Sequence, residues 1–154
     1  MDETTQHQPG VSDSVAADRS RDNLARASLA AAVMLVIQYG LGIGVNLYVA
    51  LPGGDHGIGL AFSSGPALFV HTVLGLLLIV TAISVLVRAI VARHRAVIVT
   101  SAAGLLAIIA AAGYGASFVH SGQAAASMGM AVATGVALLC YIIGLFAAAQ
   151  RQPG

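Results

Sequence analysis

Few side chains in this sequence can bind a metal or a redox group: five histidines, four methionines and one cysteine. Two of the histidines stand where water would be scarce. His71 lies one turn inside an apolar segment, Phe69-Val70-His71-Thr72-Val73-Leu74-Gly75, with Gly75 a turn further along the same helical face and Ala82 beyond it. An imidazole above a residue with no side chain is what an axial haem ligand needs, because the ring points at iron and the gap makes room for the porphyrin. The plainer explanation is a histidine bonded to a backbone carbonyl or to water. His120 ends a later apolar segment, and Met128 lies about one turn into the next, which places both near the depth of His71. Bis-histidine and histidine–methionine ligation both occur in cytochromes, so either could stand opposite His71. The short Ser121-Gly122 turn favours His120, and the ordinary role of Met128 is packing.

Two side-chain amides stand in the first apolar segment. Gln38 and Asn46 are two turns apart with Gly42 midway, so all three share one helical face. Gly40-x-x-x-Gly44 would let another helix approach closely. Gln38 is therefore a ligand contact or an interhelical hydrogen-bonding group. His56, beside Asp55, could form a surface Zn²⁺ or Cu²⁺ site with His120, although such a site wants three or four ligands. His7 and His94 read as solvent residues. No Ser/His/Asp set, carboxylate pair or intramembrane acid is present, so hydrolysis and a carboxylate relay lack their parts. There is no CxxCH and no phosphate-binding GxxxxGK[ST] loop. Cys140, alone in an apolar segment, can form no intrachain disulfide.

The elements that must position these residues follow from composition. The chain of 154 residues is 58% hydrophobic and only 8% charged, with a mean hydropathy of +0.89. Soluble domains carry about 25% charged residues, so a conventional soluble enzyme, a nucleic-acid binder and a disordered regulator are excluded. A bilayer-spanning helix needs about 20 mainly apolar residues, and four segments qualify: 29–51, 67–90, 97–119 and 124–149. Breaks at Leu51-Pro52-Gly53-Gly54, Ser63-Ser64-Gly65-Pro66, Arg93-His94-Arg95 and His120-Ser121-Gly122-Gln123 separate them. The expected fold is all-α, a polytopic membrane protein with a four-transmembrane-helix bundle at 27–150. Residues 1–26 hold five acids and three arginines. That polar start lacks the basic and apolar regions of a cleaved leader and is expected to be a disordered cytoplasmic tail.

Arginine placement orients the bundle. Arg19, Arg21 and Arg26 precede the first segment, Arg88, Arg93 and Arg95 lie at the turn between the second and third segments, and Arg151 follows the fourth segment. Four crossings put all seven on one side, and the positive-inside rule makes that side, with both termini, cytoplasmic.

Gln38-Tyr39-Gly40-Leu41-Gly42, a Gly/Pro-rich connection and Phe69-Val70-His71-Thr72-Val73-Leu74-Gly75 together resemble the first half of a four-helix unit of the haem A synthase-type membrane proteins. In that family a helix with glutamine and glycine precedes an outer loop, and the next helix begins with a haem-ligating histidine. The resemblance covers about residues 30–148 in outline and implies a haem ligand at His71. Met128 stands near the place of the family's partner histidine, Thr72 replaces its usual arginine, and four helices stand for eight. The chain also resembles small bacterial four-helix membrane proteins in general. The expectation is a b-type haem near the outer leaflet of a bacterial inner membrane, held by His71 with His120 or Met128, with Gly75 and Gln38 beside it, for electron transfer or haem handling. The competing expectation is an accessory subunit or scaffold without a cofactor. Lipid, a redox or membrane-complex partner and a second copy of the chain are the partners to expect; nucleic acid is not.

The topology is open to direct measurement. A reporter fused after Gly154 should read cytoplasm and one inserted beside Asp55 should read exterior; a cytoplasmic Asp55 would reverse the orientation.

Overall fold

The computed structural model describes residues 10–48 and 65–150. Four helices follow one another: α1 Gly10–Tyr48, α2 Pro66–Val91, α3 Arg95–Ser121 and α4 Ala124–Ala149. Each is long and apolar enough to cross a membrane, α1 over Arg19–Tyr48. His7, the connection carrying Pro52, Asp55 and His56, and Arg151 lie outside the described residues.

Local chemistry sets the helix ends. α2 starts with proline in its first turn, where a missing N–H costs nothing, directly after Gly65 at φ 119°. The α2–α3 turn is only Ala92-Arg93-His94, closed by Ala92 N–H to Arg88 O at 2.9 Å and His94 N–H to Ala89 O at 3.2 Å. α3 stops at Gly122, left-handed at φ 64°, whose N–H returns to Phe118 O at 2.8 Å. Glycine suits that position because a Cβ is strained there. Gln123 then leads straight into α4, which makes α3 and α4 a tight antiparallel hairpin.

Each helix packs on the next, α4 closes on α1, and α3 and α4 make the most extensive interface. One core cluster draws on all four helices, through Leu35, Leu78, Ala82, Ile108 and Tyr141 among others. A second, at the end where the arginines gather, joins Leu24, Ala89, Val97 and Ala148. Among the described residues, seven of the sixteen buried apolar side chains are alanine. Large apolar side chains such as Leu47, Val80, Leu106, Leu139 and Phe146 stay on the outside, each more than 60% exposed. Small residues inside and large ones outside is the pattern of helices that pack by close approach, not by hiding hydrophobic surface from water.

The structure differs from the expected tail. Helix α1 begins at Gly10, so much of the segment expected to be disordered is an extension of the first helix. Leu24, Ser28, Ala31 and Leu35 recur at spacings of four and three and keep one face inward. Leu24 is held by a residue from each of the other three helices, which supplies the packing a polar helix start otherwise lacks. Asp22 and Arg26 also have the favourable acid-first spacing of one helical turn.

Close approach occurs through other glycines than the expected pair. A Cβ at Gly40 or Gly44 would meet nothing within 4 Å. On the α3–α4 interface a Cβ at Gly104 would come within 2.7 Å of Tyr141 Cε2, one at Gly129 within 2.8 Å of Tyr114 Cδ1, and one at Gly144 within 2.9 Å of Thr100 Oγ1. Tyr141 is 1% exposed and has no room to retreat, whereas Tyr114 is half exposed. Gly104→Ala should therefore destabilise the bundle by about 1–3 kcal/mol, the usual range for overpacking. Gly113→Ala, whose Cβ would enter open space, should be neutral or stabilising. Reversible unfolding in detergent checks this, and equal effects at the two positions would contradict the packing.

Candidate functional site

At the end of the bundle away from the arginines, α1 and α2 interlock through two polar side chains and two glycines. Gln38 and Gly42 are one turn apart on α1, and His71 and Gly75 are one turn apart on α2. The helices run antiparallel, so each polar residue meets the other helix's glycine. A Cβ at Gly42 would lie 3.3 Å from His71 Cε1, and one at Gly75 would lie 3.1 Å from Gln38 Nε2. The gap above Gly75, expected to leave space for a porphyrin, is filled by the Gln38 amide.

The amide is oriented by what it donates to. Gln38 Nε2 gives a 2.8 Å hydrogen bond to His71 O and lies 3.3 Å from His71 Nε2. Only the NH₂ end can face a carbonyl, so the amide cannot be turned over. When Nε2 accepts from that amide, the neutral ring carries its proton on Nδ1. His71 Nδ1 and Gln38 Oε1 are then a buried donor and a buried acceptor, and neither has a protein partner. Leaving such groups unmatched costs about 1–3 kcal/mol each, so this pair has bonding capacity that the protein leaves unused.

Beside the pair lies a cavity of about 540 Å³, with walls from all four helices. Its lining is mainly apolar: Leu35, Ile79, Ile108 and Val119 contribute, with Ala112, Gly115 and Ala131 keeping it open. Gln38, Gly42, Asn46, His71 and Gly75 all line it, and so does His120. Near the mouth, Ser127 Oγ donates to Asn46 Oδ1 at 3.4 Å and links α4 to α1.

Met128 does not join them: it is 71% exposed, on the outside of α4. The methionine on the cavity wall is Met130, whose sulfur would be 3.3 Å from a Cβ at Gly115. Depth along the helix does not separate these residues, but two positions turn a side chain by about 200°. The spacing of Met130, Ala131 and Thr134 marks the inward face of α4, and only its partner helices show that it is inward. Among the described residues no three His, Cys, Asp or Glu side chains gather to hold a metal ion. The conceivable His56–His120 surface site involves a residue outside the described part.

A b-type haem would need one imidazole lone pair, an apolar chamber and, for six-coordination, a second ligand. His71 supplies the first and the cavity the second; His120 and Met130 both stand on its wall. The contact at His71 Nε2 is the long, weak one of the two that Gln38 makes, and a ligated iron would replace it while the 2.8 Å bond to the carbonyl remained. The residues present fit the group on these terms. No family model matches the chain, and no curated protein or solved structure matches it significantly. The likeness to the haem A synthase unit therefore rests on the quoted residues alone.

The interlock has a sharp consequence. Gly75→Ala should cost about 1 kcal/mol or more in the otherwise unaltered protein, because the new methyl crowds Gln38. In a Gln38→Ala background that cost should vanish. Unfolding free energies of the two single variants and the double variant decide it, and strictly additive effects would remove the contact from the account.

Proposed function

We propose that the chain is a multi-pass membrane protein of the bacterial inner membrane, with both termini cytoplasmic, that holds a b-type haem in this cavity. Its role is electron transfer or haem handling. The observation that carries the reading is the apolar chamber with His71 in its wall, the Nε2 lone pair of which is engaged only by the long 3.3 Å contact from Gln38. Bound haem would supply a one-electron carrier. His71 would be its principal ligand, with His120 or Met130 as a second. Gln38 would hold the His71 backbone, and so the ring, in place through the 2.8 Å bond. The apolar walls from α2 and α3 would exclude water. Exposed large side chains on all four helices support the membrane setting, since a soluble monomer rarely shows so extended an apolar surface. The six arginines among the described residues, gathered toward one end, support the orientation.

A second reading has its own observation. The interlock of Gln38 on Gly75 and His71 on Gly42 gives both polar residues a packing role, as in an accessory subunit or scaffold without a cofactor. The two readings separate by spectroscopy on protein purified from haem-sufficient cells. The haem reading expects Soret and α bands that His71→Ala abolishes while circular dichroism stays helical. His120→Ala should give a five-coordinate, high-spin spectrum and Met130→Leu little change if His120 is the second ligand; the reverse pattern would assign Met130. A folded, colourless protein would leave the scaffold reading.

A further inference from the structure

The opposite end of the bundle carries a second concavity, walled by Arg21 of α1, by Ala92, Arg93 and His94 of the α2–α3 turn, and by Arg95 at the start of α3, with Leu24 among the apolar residues of its wall. The arginine bias of this end accounts for the sign of the charge, but not for three arginines from two distant stretches of chain lining one hollow. Each guanidinium is a permanent cation with a planar fork of donors suited to phosphate oxygens. Three cations lining one hollow add to its positive potential, which an anion there would offset. Among the described residues none is held in an ion pair with a carboxylate. The nearest described acid in sequence, Asp22, is exposed, and it is not part of the wall.

Three further features agree. Helix α3 starts here over 27 residues with no side-chain cap, so its first N–H groups and the positive end of its dipole face this end of the bundle. His94 Nδ1 is buried with no protein partner. Arg93 is the one non-glycine residue among those described with positive φ, at 54°. A turn of this shape would normally take glycine or asparagine, and here it takes a cation.

We propose that this concavity binds a phosphate group, carried by an anionic phospholipid headgroup or present as free phosphate. Arg93 and Arg95 would clamp the oxygens from the turn, and Arg21 would close over them from α1. The site would thereby tie α1 to the α2–α3 turn, a junction otherwise made by Leu24 and its small apolar neighbours. The lipid source rests on the membrane reading above, while binding of free phosphate does not.

The test uses the full chain in a neutral detergent, with thermal unfolding as readout. Three probes are compared: inorganic phosphate, dihexanoyl phosphatidic acid, and dihexanoyl phosphatidylcholine with chloride as the control. Phosphate or phosphatidic acid at a hundredfold excess over its Kd should raise Tm by roughly 5–10 °C, and the control should not. Arg93→Gln with Arg95→Gln, and separately Arg21→Gln, should weaken binding at least tenfold. Arg26→Gln, which removes one charge outside the wall, should leave it unchanged, and helical circular dichroism without probe establishes that each variant folds. A shift with phosphatidic acid alone assigns a lipid headgroup; a shift with inorganic phosphate alone assigns a soluble anion. No shift with either, or an equal shift in the arginine variants, overturns the site. Haem absorbance is read independently on the same samples, so failure here and failure of the cavity reading are distinguishable.

Discussion

Tyr141 of α4 lies over Gly104 of α3 so closely that a methyl group at that position would meet the ring at 2.7 Å. Most of the bundle depends on contacts of this kind. All four helices carry large exposed apolar side chains as well as buried ones, so hydrophobic burial alone cannot choose which faces meet. Shape makes the choice. A bulky or polar side chain enters a notch left by glycine, the backbones draw together, and many weak dispersion contacts form at once. Tyr114 on Gly129 and Thr100 on Gly144 extend the same packing along α3 and α4. Among the described residues alanine supplies seven of the sixteen buried apolar side chains, beside larger ones such as Leu35, Leu78 and Val85.

Between α1 and α2 the same device is made with polar groups, and there it changes character. Gln38 and His71 fill the notches at Gly75 and Gly42, but each leaves a buried polar atom without a protein partner. Packing and chemistry compete for the same atoms. The long contact at His71 Nε2 contributes little to stability and is the one a ligand could take over, while the bond to the His71 carbonyl holds the helix pair together. A chamber of about 540 Å³ lies beside this pair, where α3 and α4 present Ala112, Gly115 and Ala131 among larger residues such as Ile108, Phe118 and Val119.

The two ends of the bundle therefore differ in chemistry. One has an apolar chamber with a histidine–amide pair, and the other an open hollow walled by cations. Leu24, held between α2, α3 and α4, carries α1 into the second end and places Arg21 beside the turn. A helix that ended where the apolar run ends would leave Arg93 and Arg95 without that third cation.

Helix number was legible in the sequence, because about 20 consecutive apolar residues identify a spanning segment without knowledge of its neighbours. The expected segments 67–90, 97–119 and 124–149 fall on α2, α3 and α4. The shared face of Gln38, Gly42 and Asn46 was legible too, since helical spacing alone defines it. Which face turns inward was not. A helix apolar all round offers no stripe to read, and so depth picked out Met128 while the cavity took Met130. Gly40 and Gly44 looked like the approach motif, yet Gly42, Gly75 and Gly104 are the ones contacted. The helical start of α1 was hidden for a related reason: a polar segment folds only when another part of the chain gives it something to pack on, and Leu24 finds that on three helices. Composition and spacing determined the elements, because those are local properties. Only the tertiary structure decided which glycines, which methionine and which arginines would meet, because that depends on the shapes of surfaces far apart in the chain.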